Sequence, residues 1–237
     1  MLVSHTKEFI FTKTQKTAGT SVESYFERYC MFDGCWEEAH FRDETISEAG
    51  IIGYRGFNRG PAIWYNHMPA KNIRDLIGQK TWNQYFKFTV VRNPFDKMIS
   101  GFAMMEYRSK NGRKQDDSKH KVEWTGDVNI ELEKITEIRR FRQWILGGGA
   151  FIDRDVYQIE GRECLDYFIR FEQLHDGIKH VCDHLGIVFR SEQLPVFKKG
   201  LRNKRISIAE YYDQETIRIV AERYAWEIER FGYAQPY

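Results

Sequence analysis

Three stretches of the chain carry side chains suited to handling an anion. From Thr12 to Ser21 the order is Thr-Lys13-Thr-Gln-Lys16-Thr17-Ala18-Gly19-Thr20-Ser21, which gathers two lysines, a glycine and several hydroxyls in one short run. His67 stands in Asn66-His67-Met68-Pro69, Arg92 in Val91-Arg92-Asn93-Pro94, and Ser100 follows further along the same stretch as Arg92. A lysine adds full charge where backbone N–H groups converge, an arginine grips an oxyanion with two prongs, and a serine donates a hydroxyl. Histidine titrates near neutrality and can take a proton. Together the first loop and Arg92 suit the binding of a phosphate-like group.

The flanking patterns say what must position them. Phe9-Ile-Phe11 is strand-like, and from Ser21 to Tyr29 the residues Val22, Tyr25, Phe26 and Tyr29 recur at helical spacing. The first loop therefore joins a strand to a helix N-terminus, where unpaired N–H groups and the positive end of the helix dipole meet. Ala62–Tyr65 reads as a short strand and Ala70 to about Ile77 as a helix closed by Gly78, with Pro69 suited to its first turn. His67 then falls at a strand-to-helix junction, the edge of a parallel α/β sheet where ligands bind. Tyr85–Val91 is the strongest strand, apolar enough to be a central parallel one. Arg92 follows it directly and needs an anionic partner, either Asp96 or a ligand. The helix after it, Phe95 to about Tyr107, lines up Phe95, Met98, Ile99, Phe102 and Met105.

Further on, Ile135–Leu146 reads as an amphipathic helix, Leu165–Phe171 as a strand, and Glu172–Leu185 as a helix capped by Gly186. Asp213 opens a helix whose stripe, Ile217, Val220, Tyr224 and Ile228, runs to Phe231-Gly232. Between these, Cys30–Gly60 loses periodicity and reads as an irregular surface excursion, with His40, Arg55 and Arg59 as solvated loop residues. Arg108–Lys134 is a polar loop or lid whose basic residues suit an anionic acceptor, and Pro195–Arg205 is a second basic loop. The alternation predicts one α/β domain over residues 1–237, a three-layer α/β/α sandwich with a mainly parallel central sheet.

Composition narrows the partners. A net charge of +2 in 237 residues leaves no broad basic face, so nucleic acid is not expected and any polyanion site is local. The four cysteines, Cys30, Cys35, Cys164 and Cys182, show no metal-binding spacing, so no metal is expected and a reduced, cytoplasmic setting fits. No signal segment precedes the first strand, and no apolar run reaches the roughly 18 residues of a membrane span. The first loop is not a P-loop of the GxxxxGK[ST] kind, because Lys16 precedes Gly19 instead of following a glycine. A P-loop-like nucleotide kinase and a non-catalytic nucleotide-binding module remain as alternatives.

Lys16-Thr17-Ala18-Gly19-Thr20-Ser21 resembles the 5′-phosphosulfate loop of sulfotransferases that use 3′-phosphoadenosine 5′-phosphosulfate (PAPS). Val90-Val-Arg92-Asn-Pro-Phe-Asp-Lys-Met-Ile-Ser100 resembles their 3′-phosphate motif, and Tyr211-Tyr-Asp213 through Phe231-Gly-Tyr233 resembles the ending of their carbohydrate-modifying branch. The resemblance covers nearly the whole chain and implies a P-loop NTPase-like sulfotransferase fold that releases 3′,5′-bisphosphoadenosine (PAP) without a metal. It implies that Lys13, Lys16, Thr17, Ala18, Gly19, Thr20 and Ser21 hold the 5′ end, with Lys16 stabilising the leaving oxygen. Arg92 and Ser100 would bind the 3′-phosphate. Phe197-Lys198-Lys199-Gly200 resembles the basic Lys-Gly loop that closes over it. His67-Met-Pro69 resembles the histidine element of heparan and uronyl sulfotransferases, which makes His67 the expected base; Glu37, Glu38 and His40 are the fallbacks. The acceptor implied is a hydroxyl, on a sugar or a glycosylated metabolite. Departures from the Pro-Lys-Ser-Gly-Thr-Thr loop of cytosolic aryl sulfotransferases disfavour phenol and steroid acceptors.

Overall fold

The computed structural model describes residues 1–111, 130–197 and 200–236. In chain order the elements begin with β1 (Leu2–Ser4), β2 (Phe9–Phe11), α1 (Gly19–Phe26), β3 (Thr45–Ile46), β4 (Gly50–Ile52), α2 (Ala70–Ile77), α3 (Gln79–Gln84), β5 (Phe86–Val91) and α4 (Pro94–Asn111). They continue with α5 (Ile130–Leu146), α6 (Arg154–Tyr157), β6 (Gln158–Ile159), β7 (Arg162–Glu163), β8 (Tyr167–Arg170), α7 (Leu174–His184), α8 (Ile208–Tyr211), α9 (Gln214–Arg223) and α10 (Ala225–Phe231). The chain divides into two compact units, Met1–Val91 with Asp153–Phe197, and Arg92–Ile152 with Lys198–Tyr237.

The first unit holds a sheet of order β3-β4-β1-β2-β5-β8 and a separate β6-β7 hairpin. β5 pairs in parallel with both β2 and β8, as its nearly continuous apolar end predicts. The other half is antiparallel: β1 against β2, β1 against β4, and β3 against β4. The sheet is therefore mixed, and the expectation of a mainly parallel sheet holds only for β2-β5-β8. The reason is local. β1 and β2 are separated by a four-residue turn, which can only reverse the chain, whereas a parallel pair needs a crossover. β1, β3 and β4 have two or three residues each, too few to show alternation in the sequence. Phe9, Phe11, Val22, Tyr25, Phe26, Phe88, Val90, Ile169, Ile178 and Val181 form the core of this unit, so α1 and α7 bury their apolar stripes together with the strand side chains.

Ala62–Tyr65 forms no strand; its one ladder contact is an isolated bridge from Tyr65 to Tyr54. The stretch from Cys30 to Gly60 is not wholly irregular, since it contains β3 and the fully buried β4.

In the second unit α4, α5, α8, α9 and α10 surround a core that includes Phe95, Met98, Ile99, Phe102, Phe141, Ile145, Tyr212, Val220 and Tyr224. The stripe of α4 ends on buried Met104; Met105, expected within it, is 41% exposed. The C-terminal helix breaks at Tyr224 (φ −111°, ψ 24°), where the Tyr224 hydroxyl accepts the Phe151 N–H at 2.9 Å. Asp213 caps α9 as expected, through a capping box with Thr216. No described helix is long and apolar enough to cross a membrane. Most of the 108–134 segment lies outside the described residues.

Candidate functional site

The loop between β2 and α1 is tied down before it opens. Thr12 N–H donates to the Phe88 carbonyl at 3.0 Å, and the Thr89 hydroxyl donates to the Thr12 carbonyl at 2.7 Å, so the chain still follows β5 as it leaves the sheet. The Thr14 hydroxyl donates to the Val90 carbonyl and lies 2.8 Å from the Thr17 hydroxyl, which turns Thr17 inward. Gln15 N–H donates to Asp153 Oδ2 at 3.0 Å. Then Lys16 (φ 64°) and Ala18 (φ 58°) both take the left-handed conformation, at a cost of about 1–2 kcal/mol each for residues with a Cβ.

α1 starts at Gly19 with Ala18 as its N-cap; no side-chain cap bond is made and its first turn holds no acidic residue. Of its first-turn N–H groups, that of Ser21 already donates to the Ala18 carbonyl at 2.9 Å. A helix N-terminus without a carboxylate, next to the Lys16 charge, is an arrangement that can accept an oxyanion. Gly19 is required by close approach: a Cβ there would lie 2.9 Å from Lys13 Cγ and 3.3 Å from the Thr14 carbonyl oxygen. Gly19→Ala is expected to destabilise the protein by about 1–3 kcal/mol, read as a lower denaturant midpoint at unchanged slope. Ser21 is buried, and its hydroxyl oxygen accepts the Phe197 N–H at 3.5 Å. Lys198 and Lys199, the next residues, lie outside the described residues.

Lys13 turns inward. It is 2% exposed, and its ammonium lies 2.7 Å from Glu23 Oε2 on α1. Glu23 also receives Arg55 at 2.8 Å and the Met1 amino group, while Arg55 reaches Glu27 at 3.0 Å and Arg42 reaches the other Glu27 oxygen at 3.0 Å. Burial alone would raise the Glu23 pKa; the Lys13, Met1 and Arg55 cations outweigh it and hold the carboxyl well below its usual range. Arg55, expected to be a solvated loop residue, is 3% exposed and also donates to the Ala39 and His40 carbonyls. Arg59 lies 3.9 Å from the Tyr65 ring centre.

His67 is anchored to this same stretch. Its Nδ1 is 2.9 Å from the Lys13 carbonyl oxygen and its backbone is left-handed (φ 58°). A carbonyl only accepts, so Nδ1 carries the proton and Nε2 bears the lone pair. Burial lowers the His67 pKa most, the Lys13 ammonium adds to it, and the value falls to about 3; the imidazole is neutral at pH 7. Among the fallback bases, Glu37 and Glu38 are exposed, and the half-buried His40 ring meets Phe41 and Phe197 edge-on.

Within the second unit, Arg92 donates from Nε to Asp96 Oδ2 at 2.7 Å, and Arg202 Nη1 lies 2.6 Å from Asp96 Oδ1. One carboxylate thus holds two guanidinium groups together. Ser100 is one turn beyond Asp96 on the same face of α4 and is partly buried. Asn93 Oδ1 accepts the Phe95 N–H at 2.9 Å, which caps α4 directly after Arg92.

The fold thus ties His67 to the first loop and joins Arg92 to Asp96 and Arg202. Sequence reading missed the supports: Glu23, Asp153 and Arg202. Glu23 sits beside Val22 at the edge of the α1 stripe, and a carboxylate there with Lys13 ten residues earlier was the available signal. Asp153 had none, because its partner is distant in sequence. Among the described residues no three His, Cys, Asp or Glu side chains are grouped to hold a metal ion.

A model of the sulfotransferase family matches residues 1–234, and the chain belongs to that family. Sulfuryl transfer is the general chemistry of its members. Comparison with curated proteins and with solved structures gives no match.

Proposed function

We propose that the protein transfers the sulfuryl group of PAPS to a hydroxyl of a sugar-containing acceptor by in-line displacement, with both units serving one sulfotransferase domain. The observation that carries this reading is the β2–α1 loop, in which two strained residues precede a helix N-terminus lacking both a side-chain cap and an acid. PAPS supplies an activated sulfuryl group whose departure leaves a phosphate oxygen. Lys16, the N–H groups of Thr17 to Thr20 and the Ser21 hydroxyl hold the 5′ end, and Lys16 balances charge building on the leaving oxygen. Arg92 and Ser100 hold the 3′-phosphate, with Arg202 beside them on Asp96; Lys198 and Lys199 are proposed to close over it. His67 Nε2 takes the acceptor proton. Negative charge brought to the loop by the nucleotide raises the His67 pKa toward the range useful for a base at neutral pH. The three-layer arrangement of sulfotransferases is part of the same proposal.

PAP at one hundred times its Kd is expected to stabilise the protein by about 2.7 kcal/mol, roughly 5–10 °C in Tm for a chain of this size. Arg92→Ala is expected to weaken PAP binding by about 10–100-fold, since a charge-assisted two-pronged contact is lost. A shift with Mg-ATP and none with PAP would replace this reading with a P-loop-like kinase. Incubation of sulfur-labelled PAPS with a panel of oligosaccharides and glycosylated small molecules tests the acceptor; label transferred only to phenols would overturn the sugar assignment.

A further inference from the structure

Lys13 contacts the site at both of its ends. Its carbonyl oxygen receives the His67 Nδ1–H at 2.9 Å, and its side chain runs inward close to Gly19, so that a Cβ at position 19 would meet Lys13 Cγ at 2.9 Å. The ammonium ends 2.7 Å from Glu23 Oε2, and Glu23 is fixed in turn by Arg55 at 2.8 Å. Lys13, Glu23 and Arg55 are all buried. A buried ammonium paired to a buried carboxylate cannot leave without exposing an uncompensated charge, so the pair resists movement of the backbone that carries it. The neighbouring conformation leaves little slack, because His67, Lys16 and Ala18 all stand at positive φ.

We propose that Lys13 is a positioning residue for His67: its buried pair with Glu23 fixes the carbonyl that selects the Nδ1–H tautomer and leaves Nε2 as the proton acceptor. This assigns Lys13 to holding the base, instead of to the nucleotide contact that its place in the first loop suggests, and it rests on the reading of His67 as base. The charged groups acting on His67 are the Lys13 ammonium and the Met1 amino group, which disfavour the imidazolium, and Glu23, which favours it. Burial is the largest influence and acts with the two cations. Removal of the Lys13 charge therefore moves the His67 pKa upward.

The test is nitrogen-detected NMR of the His67 ring in the whole protein, with PAP affinity measured by calorimetry. The wild type is expected to show the Nδ1–H tautomer. Lys13→Met, which keeps length and loses charge, is expected to raise the His67 pKa, to lose the single tautomer, and to change the PAP Kd less than threefold. Lys13→Arg is expected to restore the tautomer. An Nε2–H tautomer in the wild type overturns the proposal without any variant, so a failure of Lys13→Met to fold does not protect it. A tenfold or greater loss of PAP affinity in Lys13→Met with an unchanged His67 spectrum also overturns it and returns Lys13 to the nucleotide. Turnover of His67→Asn in the acceptor screen separates the two readings: wild-type turnover removes the base assignment and this proposal with it, whereas lost turnover beside an unperturbed ring in Lys13→Met removes only the proposal.

Discussion

Lys16→Ala is expected to lower sulfuryl transfer by about 10²–10³-fold, the loss seen when one preorganised charge stabiliser is removed from a developing oxyanion. Lys16 is at φ 64°, a conformation that a residue with a Cβ holds only under constraint. A glycine there relieves it. Lys16→Gly is therefore expected to gain stability, by up to about 1 kcal/mol or roughly 2–4 °C in Tm, while losing as much activity as Lys16→Ala. Stability and activity moving in opposite directions identifies the strain as serving the site. A Lys16→Gly protein that is both less stable and fully active would remove Lys16 from the chemistry. Initial rates of PAP release, with melting curves on the same samples, decide the matter.

His67→Asn is expected to cost about 10²–10⁴ in turnover with PAP affinity unchanged, because asparagine tolerates the left-handed backbone but cannot accept the acceptor's proton as imidazole does. The same substitution alters the dependence of stability on pH. The folded pKa of His67, about 3, lies below the unfolded value near 6.5. The unfolded chain therefore binds the extra proton first, and the contribution of His67 to stability is complete above pH 6.5 and declines as pH falls toward 3. The slope is at most about 1.4 kcal/mol per pH unit. Between pH 7 and 5, His67→Asn is expected to lose less stability than the wild type, measured as urea midpoints. Equal losses in the two proteins would mean that His67 is not held neutral in the fold.

The difference between what could be read in advance and what could not follows from the range of each interaction. The β2–α1 loop was legible because its strand, its polar run and its helix are contiguous, so that local pattern alone sets the geometry. β5 was legible because its aromatic and β-branched residues, apolar at its end, are those of a strand with parallel neighbours on both sides. The antiparallel half was not, since β1, β3 and β4 are too short to print a period and gain their identity only by pairing. Arg55 was misjudged for a related reason: an arginine in an aperiodic stretch reads as solvated until Glu23 and Glu27 are brought to it from α1 and its following turn.

By itself, then, the sequence determined the residue types of the candidate site and some of the elements that carry them: Lys16 with its hydroxyl and glycine neighbours between a strand and a helix, His67 before a helix, and Arg92 after the central strand. The tertiary structure decided their states. It turned Lys13 from the loop toward Glu23, set the proton of His67 on Nδ1 through the Lys13 carbonyl, and gave Asp96 to both Arg92 and Arg202. The physical reason is that protonation, charge balance and tautomer depend on which distant groups are packed within hydrogen-bonding distance and on how much water is excluded there, and neither quantity is carried by any local run of residues.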